Sequence, residues 1–239
     1  MTTPMRVDIE EALAKCGLRL RGGWIPNPSD ALPCLPNGQI ATVVWMVGMV
    51  GSECWPVFST STFISDGQTN PLDRWSANIG EALARRWGGI ALFPFDGPPY
   101  FPFQQWGSRS ENLQSSPLML RMHPEFGLWH AYRFALALPT LHAGDLEVPT
   151  PSLQPAGADM CLQCDGQPCL SACPVHAFSG LSFAVDECRT HLHKQQGQDC
   201  MQGGCLARRA CPEGQDYVYQ AAHAAFHMQA FLQPQPAKR

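Results

Sequence analysis

Charge is scarce in this 239-residue chain: Asp, Glu, Lys and Arg together make up 15%. Residues 1–150 carry 10 basic and 13 acidic side chains, and residues 151–239 carry 6 and 7, so neither part is basic. A surface with no basic stripe cannot neutralise a row of phosphates, which argues against a nucleic-acid duplex as partner. Long apolar runs are missing too. The longest, Ile40 to Val50, is too short to span a bilayer and too rich in Val for anything but a buried strand. Met1 to Glu11 has no apolar stretch behind a basic start, the pattern a secretion signal needs. These absences predict a soluble, cytoplasmic protein without a membrane partner. A hydrophobic content of 45% is that of a globular chain and argues against disorder.

Cysteine, by contrast, is plentiful. Of eleven cysteines, Cys16, Cys34 and Cys54 are scattered through the first quarter, and their positions assign them no role. The other eight fall between Cys161 and Cys211. In a reducing cytosol a disulfide framework is disfavoured, so so dense a cluster points to metal. The Pro-rich segment from Pro149 to Pro155 precedes it and reads as an extended connection. Two domains are therefore expected, 1–150 and 151–239.

The first domain reads as mixed α and β, an α+β fold. Val7 to Cys16 patterns as a short helix stopped by Gly17, and Ile40 to Met49 as a buried strand. Asn70 is placed to cap a helix that opens with Pro71 and carries Leu72, Trp75, Ile79, Leu83 and Trp87 at helical spacing. Ile90 to Phe95 is a short strand. Leu128 to Leu138 is a long one, with Trp129, Ala131, Arg133, Ala135 and Ala137 expected on one face. The second domain reads as loop-rich to Pro212, then as one helix over roughly 216–232.

The cysteines form two sets. The first is Cys161, Cys164, Cys169 and Cys173, followed by Pro174; the second is Cys188, Cys200, Cys205 and Cys211, followed by Pro212. Bacterial dicluster ferredoxins use C-x2-C-x2-C-x3-C-P, with the fourth Cys of each run binding the other cluster. The present runs look like that pattern with widened loops, the gap from Cys188 to Cys200 departing furthest from it. Crossing over assigns Cys161, Cys164, Cys169 and Cys211 to one [4Fe–4S] cluster and Cys173, Cys188, Cys200 and Cys205 to the other. Backbone N–H groups in such loops point at the sulfurs and stabilise the cluster's negative charge. Gly166, Gly203 and Gly204 are the residues expected to permit that approach. Structural zinc competes for the same eight ligands, but zinc modules show two close Cys pairs per ion, and only Cys161 and Cys164 make one here. The expectation is an iron–sulfur, electron-transferring oxidoreductase.

His191, His193, His223 and His227 lie near these loops. His223 and His227, one turn apart, form either half a metal site or, the favoured reading, a helix face packed on the clusters. Arg208 and Arg209 either offset cluster charge or face solvent. In the first domain, Phe95 to Phe103 is aromatic and turn-rich and reads equally as a lid over a flat cofactor or as a packed loop.

Residues 123–139, His-Pro-Glu-Phe-Gly-Leu-Trp-His-Ala-Tyr-Arg-Phe-Ala-Leu-Ala-Leu-Pro, resemble the HPxFGxWxAxRxxxxxP segment of the cobalamin processing proteins, the decyanases and dealkylases that remove cobalamin's upper ligand. Asn70 to Trp75, the strand from Ala41 with Trp55 to Phe58, and Asp145 to Pro149 are similar as well, so the likeness covers roughly 5–150. The resemblance implies a nitroreductase-like fold with a corrinoid site built around His123, Phe126, Gly127, Trp129 and Arg133. His123 either orients the corrinoid or caps the strand. Trp129 reads equally as core, and Arg133 as an in-strand partner for Asp or Glu. Two relatives, the epoxyqueuosine reductases and the reductive dehalogenases, join such a domain to a dicluster ferredoxin module in the same order. The processing family has Arg before Phe-Gly, where it helps bind glutathione; here Glu125 stands. That change implies that clusters, not glutathione, supply the electrons. An external donor such as flavodoxin, ferredoxin or a reductase is then needed, and the substrate is a corrinoid or a small molecule. Since nitroreductase-like folds also bind flavin, FMN is the alternative cofactor, in an electron-transfer protein whose first half binds flavin or docks a partner.

Overall fold

The computed structural model describes residues 5–142, 145–146 and 160–233. Its elements run α1 (Met5–Ala14), β1 (Arg19–Trp24), β2 (Val43–Val50), α2 (Trp55–Phe58), α3 (Thr62–Ser65), α4 (Pro71–Arg86), β3 (Ile90–Leu92), α5 (Phe103–Ser110), β4 (Gln114–Ser115), β5 (Arg121–Met122) and β6 (His130–Leu138). There follow α6 (Pro168–Ser171), α7 (Val185–Leu192), α8 (Gln198–Gly203), α9 (Leu206–Arg209) and α10 (Ala221–Leu232). Helix and sheet are mixed, and no described helix is long and apolar enough to cross a membrane.

Two compact units result: residues 5–112 with the segment from His130, and Leu113–Trp129 with the C-terminal region. The expected Pro-rich boundary lies outside the described residues. The division departs from 1–150 and 151–239 because Leu118, Met122 and Leu128 are apolar and bury their side chains in one cluster with Cys169, Cys173, Ala207 and Cys211.

In the first unit an antiparallel sheet takes the order β1-β2-β6-β3. Every residue of β2 is buried, which explains a strand of unbroken apolar character rather than alternation. One face packs Val44, Met46, Ala135 and Ala137 against Phe103 and Trp106 of α5. On the other, Phe134 meets α4 at Gly80, where an added Cβ would lie 3.2 Å from the ring. Asn70 does not cap α4 with its side chain; it adopts a left-handed φ of 52° and its carbonyl accepts from Arg74 N–H.

β6 begins at His130, two residues later than the sequence pattern suggested, because Leu128 and Trp129 pack in the other unit. Arg133 does not share a face with Ala135 and Ala137 either. The register with β2 slips between Tyr132 and Phe134, and this bulge turns Arg133 toward α4. There its Nε donates to Ser76 Oγ at 3.1 Å and its guanidinium pairs with Asp73. Asp73 is partly solvated, which screens the pair. Arg133→Met should lower stability by about 1–3 kcal/mol, read by urea unfolding; an unchanged midpoint would show that the pair contributes nothing.

A second buried charge fixes the edge strand. Arg21 in β1 makes two 2.7 Å bonds to the Glu111 carboxylate, which also accepts from the Tyr132 hydroxyl at 2.6 Å. Burial first, then the Glu111 charge, push the Tyr132 hydroxyl far above its ordinary pKa, so it stays a donor.

Cys54 is fully buried, and burial raises its thiol to about 11. A raised thiol pKa means little thiolate at pH 8. Cys34 is exposed. Iodoacetamide at pH 8 should label Cys34 readily and Cys54 only after unfolding; comparable labelling of both in the native protein would contradict this burial.

Candidate metal centre

Eight sulfurs on short loops need many brief elements to present them, and the second unit supplies them. Cys169 sits inside α6, Cys188 in α7 and Cys200 in α8; Cys205 caps α9; Cys211 follows it. Such four- to eight-residue helices leave several backbone N–H groups without intrahelical partners. Sulfur receives some of these, and N–H groups of the adjoining loops as well. Ala177 N–H donates to Cys173 Sγ at 3.3 Å. Leu206 N–H serves Cys200, Ala207 and Arg208 N–H serve Cys205, and Glu213 N–H serves Cys211. Gly166 contributes by its φ of 67° and not by close approach, since nothing lies within 4 Å of its would-be Cβ.

The sulfurs fall into two groups in space. Cys161, Cys164, Cys169 and Cys211 line one pocket with Met122, Leu128, Met160 and Glu213; its empty volume, the solvent-open part included, is about 370 Å³. Burial raises the Cys211 thiol, and so do the neighbouring Cys169, the Glu213 carboxylate and Cys164. The other group shows the same mutual influence. Burial, then Cys205, Cys173 and Cys200, push Cys188 up to about 11. Cys173 thus stands with the later run, and Cys211 with the earlier one.

Mutual repulsion of this kind is relieved when thiolates bind iron, and the N–H donors favour sulfur that carries negative charge. Two groups of four sulfurs, apolar walls and inward N–H groups fit two [4Fe–4S] clusters. Among the described residues no group of three or more His, Cys, Asp or Glu side chains closes round a single metal ion.

The histidines and arginines take distinct places. His223 and His227 face each other, Nε2 to Nε2 at 3.0 Å, with Tyr219 stacked on His223 at 4.3 Å. His191 is buried, one turn beyond Cys188. Arg208 lies between Trp129 and Tyr219, 4.4 and 4.5 Å from their ring centres, and donates to Leu128 O. Arg209 pairs with Asp199 at 2.7 Å.

The residues expected to surround a corrinoid are divided. His123, Phe126, Gly127 and Trp129 belong to the second unit and Arg133 to the first. His123 stacks on Phe126 at 4.1 Å, and its Nδ1 accepts from the N–H groups of Glu125 and Phe126. Phe126 meets Tyr217 edge-on, and the Tyr217 hydroxyl donates to Glu125 at 2.6 Å. Tyr217 and Tyr219, which hold this segment, carry no sequence signal and were missed; they precede α10 in a stretch the pattern assigned to the helix itself.

No family model matches the chain, and no curated protein matches it. Among solved structures, epoxyqueuosine reductase from Bacillus subtilis, seen with its catalytic loop swung out of the active site, is similar at a TM-score of 0.39 and 11% identity, over 90% of this chain and 68% of that one. At that score the likeness fixes neither a fold nor a chemistry.

Proposed function

We propose that this protein is an iron–sulfur redox protein that passes electrons through two [4Fe–4S] clusters to a corrinoid. The grouping of eight cysteine sulfurs into two fours, with backbone N–H groups turned toward them, is the observation that carries the reading. Bound clusters supply one-electron transfer. The chain's own residues hold and orient them: Cys161, Cys164, Cys169 and Cys211 on one side, Cys173, Cys188, Cys200 and Cys205 on the other. Leu118, Met122 and Leu128 keep water from the first set, and the N–H groups of Ala177, Leu206 and Ala207 stabilise sulfur charge on the second.

The corrinoid as recipient comes from the HPEFGLWHAYR segment. Its test is anaerobic mixing of protein reduced by an external donor with hydroxocobalamin. Each Co(III) that accepts one electron becomes Co(II), so the Co(III) absorption should fall as the iron–sulfur absorption recovers its oxidised form. Absence of binding and of any spectral change would sink the corrinoid reading. A second reading, a ferredoxin-type carrier whose first half binds FMN or docks a partner, draws on one observation. His123, Phe126, Trp129 and Arg133 are all engaged in packing or pairing within their own units. A flavin-loaded preparation that leaves hydroxocobalamin unchanged would favour it.

A further inference from the structure

Three residues surround the turn between Cys200 and Cys205. Asp199 precedes Cys200, Gly203 ends α8 just before the turn at Gly204, and Arg209 ends α9. Arg209 folds back over this turn. Its backbone N–H donates to Cys205 O at 3.0 Å, and its guanidinium reaches Asp199 Oδ1 at 2.7 Å. One guanidinium nitrogen lies 3.2 Å from where a Cβ on Gly203 would be, so the missing side chain at 203 is what lets the cation lie flat there. The Arg209 Nε is buried with no hydrogen-bond partner. A long side chain held this way places its charge on the turn that carries two of the second cluster's ligands. Asp199 adjoins the ligand Cys200 in the chain, and its ion pair brings the Arg209 cation to the same turn.

We propose that Arg209 and Asp199 set the reduction potential of the second cluster in opposite directions, Arg209 raising it and Asp199 lowering it, with Arg209 acting as a positioning charge and not as a ligand. The proposal rests on the two-cluster reading above. Reduction adds one electron, and hence one negative charge, to the cluster; a nearby cation stabilises the reduced form and a nearby anion opposes it. Asp199 is more exposed than Arg209, so water screens it more.

The test is an anaerobic redox titration of the holoprotein, followed by electron paramagnetic resonance, after an iron count on every variant. Arg209→Gln should lower the second couple so that its oxidised-to-reduced ratio at fixed potential rises about tenfold, ~59 mV for one electron. Asp199→Asn should raise the couple, so that the same ratio falls about threefold. Arg209→Lys should stay near wild type, and the first couple should not move in any variant. Both Arg209→Gln and Asp199→Asn break the same ion pair, so a purely structural role would shift the couple the same way in each. Equal signs, or no shift with about eight irons retained, overturn the proposal alone. A wild-type protein without iron overturns the two-cluster reading and this proposal with it. Should Arg209→Gln fail to hold iron, the upward shift in Asp199→Asn decides: its absence overturns the proposal.

Discussion

Cys211→Ala is expected to remove about four of about eight irons per chain and leave the rest in place. Cys211 stands 42 residues beyond Cys169 in the chain, yet it lines the same pocket as Cys161, Cys164 and Cys169. With only three thiolates the first set leaves one corner of the cubane without a protein ligand, so the first cluster should be lost whole. The complementary change, Cys173→Ala, should strip the second set, because Cys173 acts on Cys188 and Cys205. Double variants decide the partition by their departure from additivity. Cys161→Ala with Cys211→Ala should lose no more iron than either single change. Cys188→Ala with Cys211→Ala should lose nearly all. If the ligands instead divided by sequence run, these two results would be exchanged.

Gly127→Ala should be among the most damaging single methyl additions in the second unit. Gly127 has a φ of 54°, a conformation that costs an L residue about 1–3 kcal/mol. An added Cβ would also stand 2.3 Å from Glu213 O and 3.0 Å from Gly214 N. Both are backbone atoms and cannot rotate away. They follow Cys211 and Pro212 directly, so relief of the clash moves the loop that carries a ligand of the first set. Together these effects predict a loss of about 2–4 kcal/mol and a lower iron content at the first set. Urea unfolding and iron analysis check it; wild-type stability with full iron would show that the two backbones do not meet. The same contact gives the segment around Gly127 a packing role in the cysteine unit.

α4 was readable because sixteen residues repeat one apolar stripe between Pro71 and the glycines that end it. β2 was readable as an unbroken apolar run. β1 was not: Arg19 to Trp24 holds Gly22 and Gly23 at a register shift, which breaks the alternation that marks a strand. The aim of Arg133 was not readable for a related reason, since a bulge in β6 reverses one side chain and leaves no trace in the pattern. In the second unit α6 and α9 have four residues each, fewer than helical periodicity needs to show itself. What sequence did convey there was ligand spacing. It could not separate Arg208, caged by Trp129 and Tyr219, from Arg209, paired with Asp199, because adjacent arginines differ only in where the fold turns them.

Eight cysteines are proposed to hold two iron–sulfur clusters. Iron, acid-labile sulfide and zinc counted per chain on anaerobically purified protein test this most directly. The expected result is about eight iron and about eight sulfide with negligible zinc; zinc without sulfide would contradict it.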